Sequence, residues 1–72
     1  MELTEIEKII LNNTHKDYNY LARLSKNGDL ILISNQPKEY NGGWVHYGKY
    51  CEFKCYNHLF RNLHYGEWFK FR

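Results

Sequence analysis

No apolar run in this 72-residue sequence is longer than four residues, Leu30 to Ile33, far below the roughly 20 that a helix needs to span a bilayer. The acidic start Met1-Glu2 also lacks the basic and apolar layout of a secretory signal, so the expected location is the cytoplasm, with no membrane contact. Cysteine is scarce. Cys51 and Cys55 are the only two, four residues apart, and a bridge between them would close too small a loop to stabilise much, so free thiols are expected. There is no phosphate-cradling glycine loop, because Asn41-Gly42-Gly43-Trp44 lacks the lysine and following helix of such loops. Repeats and low-complexity segments are absent, and the loop-like stretch Pro37 to Gly43 is too short to divide two domains. The chain is therefore expected to fold as one small domain, and a core of this size supplies only a few kcal/mol unless it is reinforced.

The reinforcement on offer is aromatic. Thirteen Phe, Trp and Tyr make up 18% of the residues, and each large ring buries about 150 to 250 Å² while a Tyr or Trp keeps one polar handle. Eleven of them lie in residues 40–72, the half that also carries five Lys/Arg against two Asp/Glu. Residues 1–39 have five Lys/Arg and six Asp/Glu. The tilt permits an anionic partner without demanding one.

The fold class expected from patterning is α+β. Thr4 and Glu7 form a Thr-x-x-Glu capping box, which predicts a helix over 4–12 that docks through Ile6, Ile9 and Ile10. Two runs of strand formers, 18–25 and 29–35, flank Asn27-Gly28, which predicts a hairpin with a type I′ two-residue loop. That loop would set Lys26 opposite Asp29, Leu24 opposite Ile31, Ala22 opposite Ile33 and Tyr20 opposite Asn35. The face Tyr20, Ala22, Leu24, Ile31, Ile33 is the expected seat for the helix, and the other face, Leu21, Arg23, Leu30, Leu32, is expected to be half covered. Further strands are expected at 44–47 and 49–54, interrupted by Gly48, with a last strand at 67–72. Tyr56, Leu59, Phe60 and Leu63 fall at helical spacing, predicting a short second helix over 55–63.

Residues that could carry chemistry do not assemble into a familiar site. Cys51, Cys55, His58 and His64 read C-x3-C-x2-H-x5-H. The ligand count suits zinc, but the spacing leaves almost no loop for a metal to organise. Two thiols packed as small apolar groups and two partly exposed imidazoles form the simpler reading; a zinc-stabilised module stands as the third functional option. A Cys/His nucleophile has no third orienting group. The carboxylates Glu2, Glu5, Glu7, Asp17, Asp29, Glu39, Glu52 and Glu67 are scattered through caps and turns. No enzyme activity and no cofactor are expected.

Tyr20-Leu21-Ala22-Arg23, Asn27-Gly28-Asp29-Leu30, Gln36-Pro37, Gly43-Trp44, Leu59-Phe60 and Glu67-Trp68 together resemble a loose group of short uncharacterised proteins encoded by phages and prophages of Gram-positive bacteria. The resemblance implies an accessory gene product, and such proteins often act by binding a host component. Trp44, Phe53, Phe60, Trp68 and Phe69 would fill the interior, leaving Tyr40, Tyr47, Tyr50 and Tyr65 outside among Lys49, Lys54 and Arg61. Such a surface suits a host protein, since exposed Tyr beside Arg is an interface composition. The alternative is single-stranded or duplex nucleic acid, stacked on the same rings. A monomer or a homodimer is expected, the latter completing its core across a two-fold axis.

Overall fold

The computed structural model describes residues 2–72. In chain order it contains helix α1 (Glu5–Asn12), strands β1 (Tyr20–Arg23), β2 (Ile31–Ile33), β3 (Lys38–Tyr40), β4 (Gly43–Val45) and β5 (Tyr50–Glu52), one 3-10 turn (Lys54–Tyr56), and β6 (Glu67–Lys70). Four strands form an antiparallel sheet in the order β5-β2-β1-β6, and β3 and β4 form a separate hairpin. The architecture is α+β. Among the described residues no helix is long and apolar enough to cross a membrane.

Helix α1 starts where its capping box places it. Thr4 Oγ1 accepts the Glu7 N–H at 3.1 Å, and Glu7 Oε1 accepts the Thr4 N–H at 2.9 Å, which satisfies two of the donors that a helix start leaves bare. The docked face differs from expectation. Glu7 and Leu11 are buried and Ile10 is half-buried, whereas Ile6 and Ile9 are 64% and 57% exposed. The capping box turns Glu7 inward, which brings Ile10 and Leu11, three and four residues on, to the same face, while Ile6, one residue before, and Ile9, two after, must face away.

β1 and β2 pair, but not through an Asn27-Gly28 type I′ loop. Their register sets Tyr20 opposite Ile33, Leu21 opposite Leu32 and Ala22 opposite Ile31, two residues displaced from the expected pairing. Gly28 has φ +83° while Asn27 stays on the negative side, and the Gly28 N–H reaches Ser25 O at 2.9 Å. Beyond this turn the Leu30 N–H is taken by Asn57 Oδ1 at 2.9 Å. A type I′ loop needs two residues at positive φ, and Asn41 (φ 50°) with Gly42 (φ 77°) provides it in the β3–β4 hairpin, where Tyr40 faces Gly43. The stretch read as loop, 37–43, thus contains a strand and that turn, and the expected strands 44–47 and 49–54 contract to β4 and β5.

A shift of two leaves each side chain on its own face. The face that carries the main core is nevertheless the one expected to be half covered. Leu21, Leu30 and Leu32 join Leu11, Phe53, Phe60 and Leu63 in one cluster, with α1 on that side. The opposite face buries Ala22 and Ile33 and sets the Tyr20 and Trp68 rings edge to face at 5.7 Å.

No second α-helix forms over 55–63. After the 3-10 turn the chain bends repeatedly, and Phe60 sits at φ +55°. Arg23 explains the departure. Buried beneath this segment, its Nε donates to Leu63 O at 2.7 Å, its Nη2 to the carbonyls of Asn57 (3.0 Å), Leu59 (2.6 Å) and Phe60 (3.4 Å), and its Nη1 to Gly28 O. Glu7 Oε2 accepts the Phe60 N–H at 2.6 Å. In a helix those carbonyls would serve N–H groups four residues on; here a guanidinium with five donors takes them instead. The apolar stripe still performs its burial task, with Phe60 and Leu63 inside and Tyr56 and Leu59 packed against the cluster.

A second arginine ties the two ends of the fold together. Arg72 donates to Leu11 O (3.1 Å), Thr14 O (3.2 Å), His15 O (2.6 Å) and Tyr18 O (2.9 Å). It places a positive charge at the negative end of the α1 dipole, where the helix has no basic residue of its own.

Candidate interaction surface

The most accessible chemistry lies around β5, which has a neighbour on one side only. Ser34 N–H donates to Lys49 O at 3.0 Å and Phe53 N–H to Leu30 O at 2.9 Å, so residues 49, 51 and 53 aim their backbone groups at β2. In an antiparallel ladder the residues between them point the other way. The N–H and C=O of Tyr50 and Glu52 therefore face outward from the sheet edge.

Depressions flank this edge on both faces. On the core side, Ile9, Ile10, Tyr18, Cys51, Phe53 and Tyr56 line an apolar groove of about 420 Å³ between α1 and β5. On the other side, Leu24, Ile31, Trp44, His46, Glu52 and Lys54 line a cleft of about 300 Å³. Tyr50 stands at its margin, its ring 5.1 Å from that of His46, whose Nδ1 is buried without a hydrogen-bond partner among the described residues. A third depression, of about 640 Å³, runs beside β6 and has Glu2, Asn62 and Glu67 in its wall.

Gly48 fixes the approach to β5. Its φ is +84°, and a Cβ there would stand 2.6 Å from both Ser34 Oγ and Asn35 Nδ2. Those two atoms are engaged, the first accepting the Lys49 N–H at 3.0 Å and the second donating to Tyr47 O at 3.1 Å. Gly48→Ala therefore meets a strained conformation, worth about 1 kcal/mol, and displaces two hydrogen bonds of about 1 kcal/mol each. A loss of about 3 kcal/mol is expected in urea unfolding. Gly42→Ala, whose Cβ would meet nothing within 4 Å, should lose only about 1 kcal/mol. Equal losses for the two variants would refute this account of the bend.

Charges around the edge are mostly neutralised locally. Lys49 Nζ lies 2.7 Å from Asp17 Oδ2. The hydrogen bond holds the Asp17 carboxyl below the usual carboxylate range, and the same bond raises the Lys49 ammonium above its ordinary value. Lys54 pairs with Glu52 at 3.6 Å. Desolvation raises the Tyr18 hydroxyl above its ordinary value, with the adjacent Cys51 thiol adding to the shift.

The seven residues singled out in the sequence, Tyr40, Tyr47, Lys49, Tyr50, Lys54, Arg61 and Tyr65, are all exposed, the four tyrosines by 53% to 68%. They do not form one patch. Tyr47, Lys49 and Tyr50 cluster at the Gly48 bend and Lys54 joins the cleft, while Tyr40 sits beside the β3–β4 turn. Arg61 and Tyr65 belong to the segment held by Arg23. Gly66 N–H bonds Arg23 O, which puts Tyr65 at the corner of the sheet diagonal to Tyr50, roughly 22 Å away at about 4.8 Å per strand and 3.3 Å per residue. Trp44, expected inside, is half-buried and walls the cleft with His46. Neither residue carried a sequence signal for this role.

The zinc option does not match the geometry. Cys51 is half-buried in the groove, Cys55 and His58 are exposed, and His64 lies 3.5 Å from Glu67. Among the described residues no three His, Cys, Asp or Glu converge to hold a metal ion.

No protein-family model matches the chain, and neither the curated proteins nor the solved structures compared with it include a similar one.

Proposed function

We propose that the chain is a non-enzymatic binding protein of phage or prophage origin, acting in the cytoplasm, that modulates a host protein through the aromatic surface around Tyr47 and Tyr50 with Trp44, His46 and Lys54 beside it. The observation that carries this reading is that bare rings stand beside paired cations around Tyr47 and Tyr50. Four tyrosines stand out in solvent, yet Lys49 and Lys54 are paired with carboxylates. Arg23 and Arg72 spend their donors on backbone carbonyls. Tracking a nucleic-acid backbone needs cations free to replace condensed counterions. Protein interfaces instead draw their affinity from a few aromatic anchors set in pockets, and the Trp44–His46 cleft beside Tyr50 is such a setting.

The test is capture of a defined host protein from bacterial lysate by the immobilised chain, followed by titration of that protein against variants. Tyr50→Ala and Trp44→Ala should each weaken binding by about tenfold, or 1.4 kcal/mol. Capture of nothing above background would remove the reading. Retardation of single-stranded or duplex probes at low salt, fading steeply as salt rises, would replace it with nucleic-acid binding.

A further inference from the structure

We infer that the β5 edge is a self-association surface, and that two copies of this chain join there, antiparallel about Cys51, into one eight-stranded sheet. The inference does not rest on the host-protein reading above: it is carried by the outward backbone groups of the edge and by the core-side groove, although the side chains of Tyr50 and Glu52 also border the outer cleft.

The edge is complementary to itself. Tyr50 and Glu52 hold the outward backbone groups, and they lie symmetrically on either side of Cys51. An antiparallel copy centred on Cys51 sets Tyr50 opposite Glu52 of the second copy and Glu52 opposite its Tyr50. All four outward N–H and C=O groups of each strand are then bonded, as a hydrogen-bonded pair exchanges two bonds. Shifting the register to set Glu52 against Glu52 opposes like charges, which destabilises a cross-strand pair. Setting Tyr50 against Tyr50 brings Glu52 opposite Gly48, in the bend outside the strand.

The core-side groove gives the second copy something to cover. A two-fold axis perpendicular to the sheet leaves α1 of both copies on the same side, so the grooves beside the two Cys51 residues meet. Ile9 lines the groove, and Ile6 lies one turn earlier on the helix; both are more than half exposed. Isoleucines in a folded chain gain from being covered, in proportion to the apolar area removed from water. The depression beside the other free edge, β6, holds Leu63, Trp68 and Phe69 but also Glu2, Asn62 and Glu67, and is the more polar of the two.

This pairing makes Cys51 of the two copies a non-hydrogen-bonded pair with Cα atoms about 4.5 Å apart, within the range that a disulfide spans. Cys55, although more exposed, lies outside the paired segment. The experiment uses diamide, which removes two electrons and two protons from a thiol pair, on the full chain at rising concentration. The Cys55→Ser variant should form a covalent dimer at least about tenfold faster than Cys51→Ser. Faster crosslinking through Cys55, or none through Cys51, would overturn the inference. Sedimentation gives an independent reading with Glu52→Pro, which deletes an outward N–H but no bond to β2. The unmodified chain should show a concentration-dependent dimer that Glu52→Pro weakens by at least about tenfold. A chain that stays monomeric at millimolar concentration would also overturn it.

Discussion

Replacing Arg23 with methionine is expected to abolish the cooperative unfolding transition. Methionine fills much of the same volume and removes the cost of holding a charge away from water, a cost that in some buried ion pairs outweighs the attraction. That gain does not decide the outcome here, because the partners are backbone carbonyls that stay behind. Gly28, Asn57, Leu59, Phe60 and Leu63 all direct a carbonyl at the guanidinium. Each one left buried and unpaired costs about 1 to 3 kcal/mol. Even if water rescued three of the five, the remaining loss of about 2 to 6 kcal/mol would match the few kcal/mol that a domain this small possesses. Burial, followed by the nearby Arg61 charge, pulls the Arg23 pKa down from its ordinary value, yet a guanidinium remains protonated in proteins, so all five donors persist across the physiological range. Arg23→Lys keeps the charge with three donors and should retain a transition at a lower urea midpoint. Circular dichroism through a urea titration makes the comparison. An Arg23→Met protein within about 1 kcal/mol of the parent, the ordinary cost of a point change, would show that the segment 53–66 holds itself.

The same residue marks the boundary of what was legible in the sequence. Features fixed by neighbours in the chain could be read: the Thr4–Glu7 box starts α1 where expected, and the alternation of Tyr20–Arg23 and Ile31–Ile33 assigns each side chain to a common face. Features fixed by distant partners could not. Asn27-Gly28 and Asn41-Gly42 are the same dipeptide, and only the bonds from Arg23 to Gly28 O and from the Leu30 N–H to Asn57 Oδ1 open the first loop and leave the type I′ turn to the second. The period of Tyr56, Leu59, Phe60 and Leu63 is a real record of burial, but periodicity says nothing about a buried cation able to outbid the helix for its carbonyls. Arg23 also made the true core face look mixed. Ile10 docks as expected, but Ile6 and Ile9 misled because apolarity predicts which residues gain from burial, whereas the capping box decided which ones turn inward. Around the candidate surface, hydroxyl-bearing rings could be assigned to solvent from their type, but their separation into the Gly48 cluster and the distant Tyr65 depends on strand order, which carries no local signature.

Glu7 should prove a sensitive position as well, and for a reason joined to the first. Its two carboxylate oxygens are divided between the Thr4 N–H and the Phe60 N–H. Glu7→Ala removes the reciprocal arm of the cap, worth about 1 kcal/mol, and leaves the Phe60 N–H buried and bare at about 1 to 3 kcal/mol. A loss of about 3 kcal/mol is expected in urea unfolding. Glu7→Gln can present only one oxygen, and its amide would turn a donor toward the other N–H, so it should lose about half as much. Phe60 adds a further demand. It is a bulky residue at positive φ, a conformation costing about 1 to 2 kcal/mol, with Glu7 holding its N–H and Arg23 reaching its carbonyl. Removing either hold lets the residue relax and weakens the other. The loss for Glu7→Ala combined with Arg23→Lys should therefore fall short of the sum of the two single losses by at least about 0.5 kcal/mol, the threshold at which contacting sites are counted as coupled. Additivity within that margin would mean that Glu7 and Arg23 anchor the segment independently, and that the strain at Phe60 is borne by its buried ring alone.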